Sequence, residues 1–183
     1  PPYDDCCDQT FTTRKAHSIY LAIIVGVPDI HAGVIDPALA KQPGTGGEKM
    51  HPDPEGQSAQ TRYRVLERAG NEAAFVALQP FTGRTHQLRA HMAAIGHPIL
   101  GDGKYGGQDA FLTGQISRKL HLHAKRLTLP HPDGGTLDVS AELPEHFAGS
   151  LAHLGFRPEL GDDPFPGPPP EDPKQTQKRA AKA

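Results

Sequence analysis

Side chains that could bind anions or move protons are concentrated in one short stretch, F-T-G-R-T-H-Q-L-R-A-H-M-A-A-I-G-H-P-I-L-G-D-G-K-Y, at residues 81–105. It holds two arginines, three histidines, a glutamine, a lysine and four glycines. An arginine at the start of a helix is poorly placed for the helix dipole, but that same end can receive a phosphate or a carboxylate. The stretch is therefore a candidate anion-binding site that contains Arg84 and Arg89.

Arg89 also has a purely structural interpretation. It follows the apolar Leu88 within a predicted helix, so it is expected to be partly buried and to need a carboxylate partner. A salt bridge that only stabilises the fold would satisfy this need. The motif R-T-H-Q-L-R-x-H-M…G-H-P-I-x-G-D-x-x-Y-G is much more specific than either arginine alone.

The histidines raise the possibility of a metal site and hence of a metal-dependent hydrolase. His86 and His91 lie about 140° apart on a 3.6-residue helical period, so they cannot both face one ion from that helix. His121 and His123 could do so, but no carboxylate or cysteine stands at a ligand spacing beside them. We therefore expect no metal site. A nucleophilic hydrolase is not indicated either, because no G-x-S-x-G motif occurs.

Charge and cysteine usage indicate where the protein works. The formal net charge is −2, yet residues 84–126 contain seven basic against two acidic residues, a net charge of +5. Such a basic region can hold a polyanion or can be an ordinary solvated surface. No apolar run is long enough to cross a membrane, and the adjacent Cys6 and Cys7 make an unlikely structural disulfide. We expect a cytoplasmic protein that does not associate with membranes.

The elements that position these residues can be predicted from hydrophobic patterns. Strands are predicted at residues 15–27, 61–68 and 73–79, an extended segment with His121 and His123 on one side at 116–124, and a hairpin of 126–129 with 136–141 around H-P-D-G-G. Helices are predicted at 86–95 and 145–154, and residues 29–60 are predicted to be loop-rich. Because strands and helices do not alternate regularly, the pattern indicates an α+β fold with a mostly antiparallel or mixed sheet and a few flanking helices.

Composition divides the chain into three parts. Residues 1–14 show no apolar period and are predicted to be irregular. Residues 15–154 are predicted to form the folded domain. Residues 155–183 are rich in proline and end in several basic residues, which predicts a disordered tail.

Residues 82–106, T-G-R-T-H-Q-L-R-A-H-M-A-A-I-G-H-P-I-L-G-D-G-K-Y-G, resemble the RluA-type pseudouridine synthases, which isomerise uridine in structured RNA. Supporting similarity lies around Tyr20–Ala22, in S-A-Q-T-R-Y-R-V at 58–65 and in L-H-L-H-A-K-R-L at 120–127. The resemblance runs from about Lys15 to Phe147. It implies that residues 15–154 are part of a catalytic domain that uses no metal or organic cofactor.

The resemblance also implies roles for individual residues. Tyr20 matches the active-site tyrosine of the family, and Arg89 matches the arginine that pairs with the catalytic aspartate. The family's H-R-L-D-x-x-T-S-G motif, which supplies that aspartate, does not occur in this sequence. We therefore expect little or no turnover by this chain, and we expect the DNA just upstream to encode such a segment in another reading frame.

The implied partner is RNA, most simply ribosomal RNA. The residues expected to bind it are Arg84, His86, Gln87, Lys104, Arg118, Lys119, Lys125 and Arg126. A non-catalytic RNA-binding remnant that uses only this basic face is the alternative interpretation. The oligomeric state cannot be derived from the sequence.

Overall fold

The computed structural model describes residues 16–43 and 48–166. Within this part of the chain, six strands form one sheet in the order β2-β5-β6-β1-β7-β8, and each paired strand is antiparallel to its neighbour. The strands of this sheet are β1 (His17–Val25), β2 (Ala32–Ile35), β5 (Thr61–Ala69), β6 (Ala73–Pro80), β7 (Leu122–Pro130) and β8 (Thr136–Ser140). A separate hairpin pairs β3 (Leu39–Lys41) with β4 (Met50–Pro52).

Among the described residues, three helices accompany the sheet: α1 (Gln87–Ala94), α2 (Gly103–Gly106) and α3 (Glu145–Leu154). Short 3-10 turns occur at Gly107–Ala110 and Pro158–Gly161. Strands with a few helices and no alternating order confirm the predicted α+β class. The predicted strands at 15–27, 61–68 and 73–79, the hairpin around H-P-D-G-G and the helix at 145–154 are confirmed as well.

The sheet is covered on both sides, which explains the continuous apolar run of β1. Leu21 and Ile23 point to one face, and Ala22 and Ile24 point to the other, as alternation along a strand requires. All four side chains are fully buried. The first face packs against α3 through Phe147, while the second face packs against α1.

The described part of residues 29–60 is rich in loops, as predicted, and it also contains the short strands β2, β3 and β4. These strands have only three or four residues each, too few for an alternating pattern to stand out. They form through partners distant in the chain, since β2 pairs with β5 and the β3–β4 hairpin packs beside α1 and α2.

The prediction that disorder begins at residue 155 is wrong for the described part of the tail. Phe156 and Phe165 are only 5% and 7% exposed. Phe156 stacks on Phe75 with ring centroids 6.1 Å apart, and Arg62 lies 4.5 Å above the ring of Phe165. The apolar surface of these two rings holds a proline-rich segment on the sheet. Residues 167–183, like the predicted irregular start at 1–14, lie outside the described residues.

Candidate active site

The turn that leads into α1 is organised by the side chain of Gln87. Its Oε1 accepts hydrogen bonds from Thr82 Oγ1 at 2.6 Å and from the Arg84 backbone N–H at 3.1 Å. Its Nε2 donates to Gln60 O at 2.9 Å and to Thr61 Oγ1 at 3.0 Å. Gln87 is 4% exposed and makes these hydrogen bonds inside the protein, while its binding to RNA stays a prediction. From the sequence, a polar residue at the start of a helix is expected to be exposed. Here the amide of Gln87 bonds backbone groups near the start of the helix, where partners within the helix are missing.

Thr61 continues this network to His91, which is fully buried in α1. His91 Nε2 donates to Pro37 O at 2.9 Å, because a carbonyl can only accept. His91 Nδ1 therefore accepts from Thr61 Oγ1, 2.8 Å away. Both ring nitrogens are used inside the protein, which leaves neither of them for a metal ion.

Burial lowers the pKa of His91, and burial also lowers that of His121, below the ordinary value of 6.5. The folded state then favours neutral imidazole, so the unfolded chain binds more protons once the pH falls below about 6.5. We predict that stability is fully present above this value and decreases as the pH falls below it. Urea unfolding at pH 7.5 and at pH 5.5 measures the difference, and His91→Gln is expected to reduce it. Equal stability at the two pH values would contradict the prediction.

Arg89 is held by a buried carboxylate. Its Nε donates to Asp102 Oδ2 at 2.9 Å, and its Nη2 donates to Asp102 Oδ1 at 2.7 Å. Asp102 is 1% exposed and the Arg89 side chain is 20% exposed. The hydrogen bonds to Asp102 raise the pKa of Arg89 above its ordinary value. The expected carboxylate partner of Arg89 is thus present within the described residues, although it lies C-terminal to the arginine.

The turn before α2 places Asp102 opposite Arg89. Asp102 caps this helix, since its Oδ1 accepts a hydrogen bond from the Tyr105 backbone N–H at 3.3 Å. The preceding residue, Gly101, has φ of +84°, a conformation that favours glycine. A Cβ at this position would lie 2.0 Å from Lys119 O, so the glycine also allows two chain segments to approach closely.

Tyr105 fixes the other side of the Arg89 guanidinium. The guanidinium carbon lies 5.0 Å from the centre of the Tyr105 ring, within the range of a cation–π interaction. The Tyr105 hydroxyl accepts from the Met50 backbone N–H at 3.0 Å, and His86 Nδ1 lies 2.9 Å from it. The hydroxyl keeps its own hydrogen to donate, and an unprotonated Nδ1 can accept it. Burial is the main cause that lowers the pKa of His86, and the nearby Arg89 charge lowers it further. The lower pKa favours the neutral imidazole.

Tyr20 lies on β1 and packs partly buried against the apolar cluster that also contains Leu88, the neighbour of Arg89. It lines a cavity of about 260 Å³ between β1, β7 and β8. The other lining residues are Ser18, Ala124, Lys125, Arg126, Leu127, Val139 and Ala141. The hydrogen bonds of Arg89 go to Asp102, so the joint action of Tyr20 and Arg89 on one uridine stays a prediction.

The residues expected to bind RNA are placed in different surroundings. Arg126 forms a bidentate ion pair with Asp138, in which Nε donates to Oδ1 at 2.8 Å, and Lys125 Nζ lies 3.4 Å from Asp162. Arg84 Nε donates to Ser58 O at 2.9 Å, and Lys104 Nζ donates to Glu48 O. Arg118 and Lys119 are exposed. Several of these cations are thus held by protein oxygens.

Two residues of the site were missed as functional candidates. Asp102 and Tyr105 belong to the G-D-x-x-Y-G part of the motif, yet neither was assigned a role from the sequence. The motif itself was the only signal, since a separation of 13 positions between Arg89 and Asp102 does not predict a contact.

Residues 16–43 and 48–166 contain neither a cluster of metal ligands nor a membrane-spanning helix. No group of three or more histidine, cysteine, aspartate or glutamate side chains is arranged to hold a metal ion there. No helix in these ranges is long and apolar enough to span a membrane.

Comparison with known proteins identifies the family. The family described as RNA pseudouridylate synthase matches residues 5–94, a range that begins ahead of Lys15, where the resemblance was expected to start. The dual-specificity RNA pseudouridine synthase RluA of Salmonella typhi is 38% identical over 138 residues, which are 75% of this chain and 61% of the relative. The enzyme of that name from Escherichia coli K12 is 40% identical over 126 residues, 68% of this chain and 56% of the relative.

A solved structure gives the same result. Human RNA Pseudouridylate Synthase Domain Containing 4 superimposes with a TM-score of 0.65 at 32% identity, over 83% of this chain and 68% of that one. The chain belongs to the RluA-type RNA pseudouridine synthase family. It spans about three fifths of the length of the curated relatives that it matches.

Proposed function

We propose that this chain supplies the arginine and tyrosine side of the active site of an RNA pseudouridine synthase. Arg89 would pair with the nucleophilic aspartate, and Tyr20 would pack against the uracil ring. The aspartate would come from a segment with the H-R-L-D-x-x-T-S-G motif, which the sequence of this chain does not contain. By itself the chain would show little or no turnover.

The observation that supports this proposal is the fixed position of Arg89. A guanidinium that is held by a buried carboxylate on one edge and by an aromatic ring on one face cannot easily change its rotamer. Catalytic groups need such support from neighbouring side chains, because small displacements cost much of the rate. An arginine that only bound RNA backbone would not need a buried partner.

The chemistry gives each group a task. Isomerisation breaks the bond between the ribose C1′ and uracil N1, turns the base, and forms a bond between C1′ and C5. The aspartate must be ionised to start this sequence, and a neighbouring guanidinium favours the ionised form. The target base must leave its stack to reach the site, and an aromatic side chain such as Tyr20 can then pack against it.

The substrate and compartment follow as part of the same proposal. The curated relatives carry RNA in their names, and we propose ribosomal RNA as the substrate of the complete protein. The action on RNA and the absence of a plausible structural disulfide in the sequence favour the cytoplasm.

A test is to join a family segment that carries the H-R-L-D-x-x-T-S-G motif to the N-terminal side of this chain. The joined protein and the chain alone are incubated with unmodified ribosomal RNA, and pseudouridine is mapped along the RNA. We expect pseudouridine only with the joined protein. A folded joined protein that binds RNA without forming pseudouridine would contradict the proposal.

The second candidate function is RNA binding without catalysis. Two observations favour it: the sequence lacks the aspartate motif, and Arg118 and Lys119 are exposed. The joined protein separates the two functions, because a remnant would remain inactive even with an aspartate supplied.

For either function we predict that RNA affinity decreases steeply with salt, because binding releases counterions from phosphates. Arg118→Ala combined with Lys119→Ala is expected to reduce the slope of log Kd against log salt by about 2, or about 1 for each phosphate contact. The control variant Lys41→Ala changes a lysine that already pairs with Glu48, at 2.7 Å. Fluorescence anisotropy with a labelled ribosomal RNA fragment measures the slope. Affinity that does not depend on salt would contradict the prediction.

A further inference from the structure

In the part of the chain that the structure describes, the hydrogen bonds of Arg89 use one edge of its guanidinium. Within the described residues, Asp102 occupies the edge formed by Nε and Nη2. A guanidinium has five N–H donors, and a side-on pair of this kind uses two of them. The edge formed by Nη1 and Nη2 still carries two parallel N–H groups, which match the two oxygens of a carboxylate.

We infer that Asp102 is a positioning residue, which holds Arg89 so that its Nη1–Nη2 edge receives a second carboxylate, that of the nucleophilic aspartate. This inference rests on the proposed function and deepens it. Asp102 touches neither substrate nor nucleophile in this account and acts only through Arg89. Tyr105 assists by covering one face of the guanidinium.

The second group is a carboxylate rather than inorganic phosphate because of the charge that Asp102 already brings. The ion pair of Arg89 with Asp102 is neutral, and Asp102 is buried in a setting that screens charge weakly. A carboxylate adds one negative charge there, whereas a free phosphate at neutral pH adds up to two. Repulsion from Asp102 therefore disfavours phosphate more than it disfavours a carboxylate.

Asp138 provides a matched comparison. It holds Arg126 in the same side-on geometry, with Nε and Nη2 both donating to the carboxylate, but on the surface. The Arg126 and Asp138 side chains are 36% and 42% exposed, against 20% and 1% for Arg89 and Asp102. The two ion pairs share one hydrogen-bond geometry. A difference between the two arginines in the exchange of their Nε–H hydrogens therefore reports burial and orientation.

The test uses the full chain labelled with ¹⁵N, and it observes the Nε–H signals of the arginine side chains by NMR. The signal of Arg89 is assigned by its loss in Arg89→Lys. We expect Arg89 Nε–H to exchange with water about 10- to 100-fold more slowly than Arg126 Nε–H, the range that a charged hydrogen bond provides. Asp102→Asn should remove this protection, and Asp138→Asn should leave it unchanged. Equal exchange of the two wild-type arginines would overturn the inference, even if Asp102→Asn does not fold.

The receiving edge is probed with sodium acetate and, separately, with inorganic phosphate, at constant ionic strength. We expect acetate to shift the Arg89 signal with saturation and phosphate to shift it less. No acetate effect, or a stronger effect of phosphate, would overturn the assignment of this edge to a carboxylate. Neither measurement depends on turnover, so a joined protein without activity would refute the proposed function and leave the role of Asp102 to be decided by these signals.

Discussion

Replacing Arg89 with methionine is expected to lower the free energy of unfolding by about 3 kcal/mol, as when one partner of a buried ion pair is removed. The reason is the position of Asp102. Its carboxylate is 1% exposed and accepts two hydrogen bonds from Arg89, which methionine cannot replace. Methionine keeps the aliphatic part of the side chain, so the loss reports the charge and its hydrogen bonds. Urea unfolding measures the change.

A double substitution tests whether the loss of stability comes from the unpaired charge of Asp102. Arg89→Met combined with Asp102→Asn is expected to recover more than half of the lost stability, because it removes the stranded charge, while asparagine can still cap α2. The same double change at Arg126 and Asp138 is the control, and an exposed pair should cost less than about 1 kcal/mol. If Arg89→Met costs no more than Arg126→Met, the described burial of the Arg89 pair is wrong.

Gly101→Ala is expected to destabilise the protein by about 3 kcal/mol or more. A residue with a side chain pays about 1–2 kcal/mol to adopt the left-handed conformation, and forced overpacking costs a further 1–3 kcal/mol. The new Cβ would lie 2.0 Å from Lys119 O, a backbone atom that cannot rotate away. The same shift would displace Asp102, which follows directly in the chain.

Gly155→Ala is the matched control for this substitution. Gly155 also has a positive φ, +76°, in the left-handed conformation, but no atom lies within 4 Å of the position that its Cβ would take. It should therefore cost only the conformational part, about 1–2 kcal/mol. Thermal or urea unfolding of both variants gives the comparison. Equal losses in the two variants would contradict the close approach of Gly101 to Lys119.

The sequence predicts those parts of the fold whose cause is local. The alternation along residues 61–68, the turn around H-P-D-G-G and the pattern of residues 145–154 are each contained in one element, and the structure confirms them. The packing of Phe156 and Phe165 could not be predicted, because the disorder prediction rested on the average composition of the tail, to which two aromatic residues contribute little. Their burial depends on a site on the sheet that exists only once the sheet has formed.

The same distinction applies to the site. A candidate site in residues 81–105 could be proposed from the sequence, because arginines, histidines and glycines are concentrated there in a chain of otherwise ordinary composition. The partner of Arg89 could not, since the turn at Gly101 and the approach of Lys119 bring Asp102 into reach. The burial of Gln87 was also hidden, because it depends on Gln60 and Thr61 from another strand.

The measurement that tests the central claim most directly compares two variants of the joined protein on unmodified ribosomal RNA. One carries Arg89→Met with Asp102→Asn, and the other carries Arg157→Met with Glu67→Gln, which removes a surface ion pair outside the site. Both are expected to fold, so lost turnover cannot be attributed to unfolding. The account predicts that mapping finds no pseudouridine with the Arg89 variant and an undiminished yield at the same positions with the Arg157 variant. Pseudouridine formed at an unchanged rate by the Arg89 variant would contradict it.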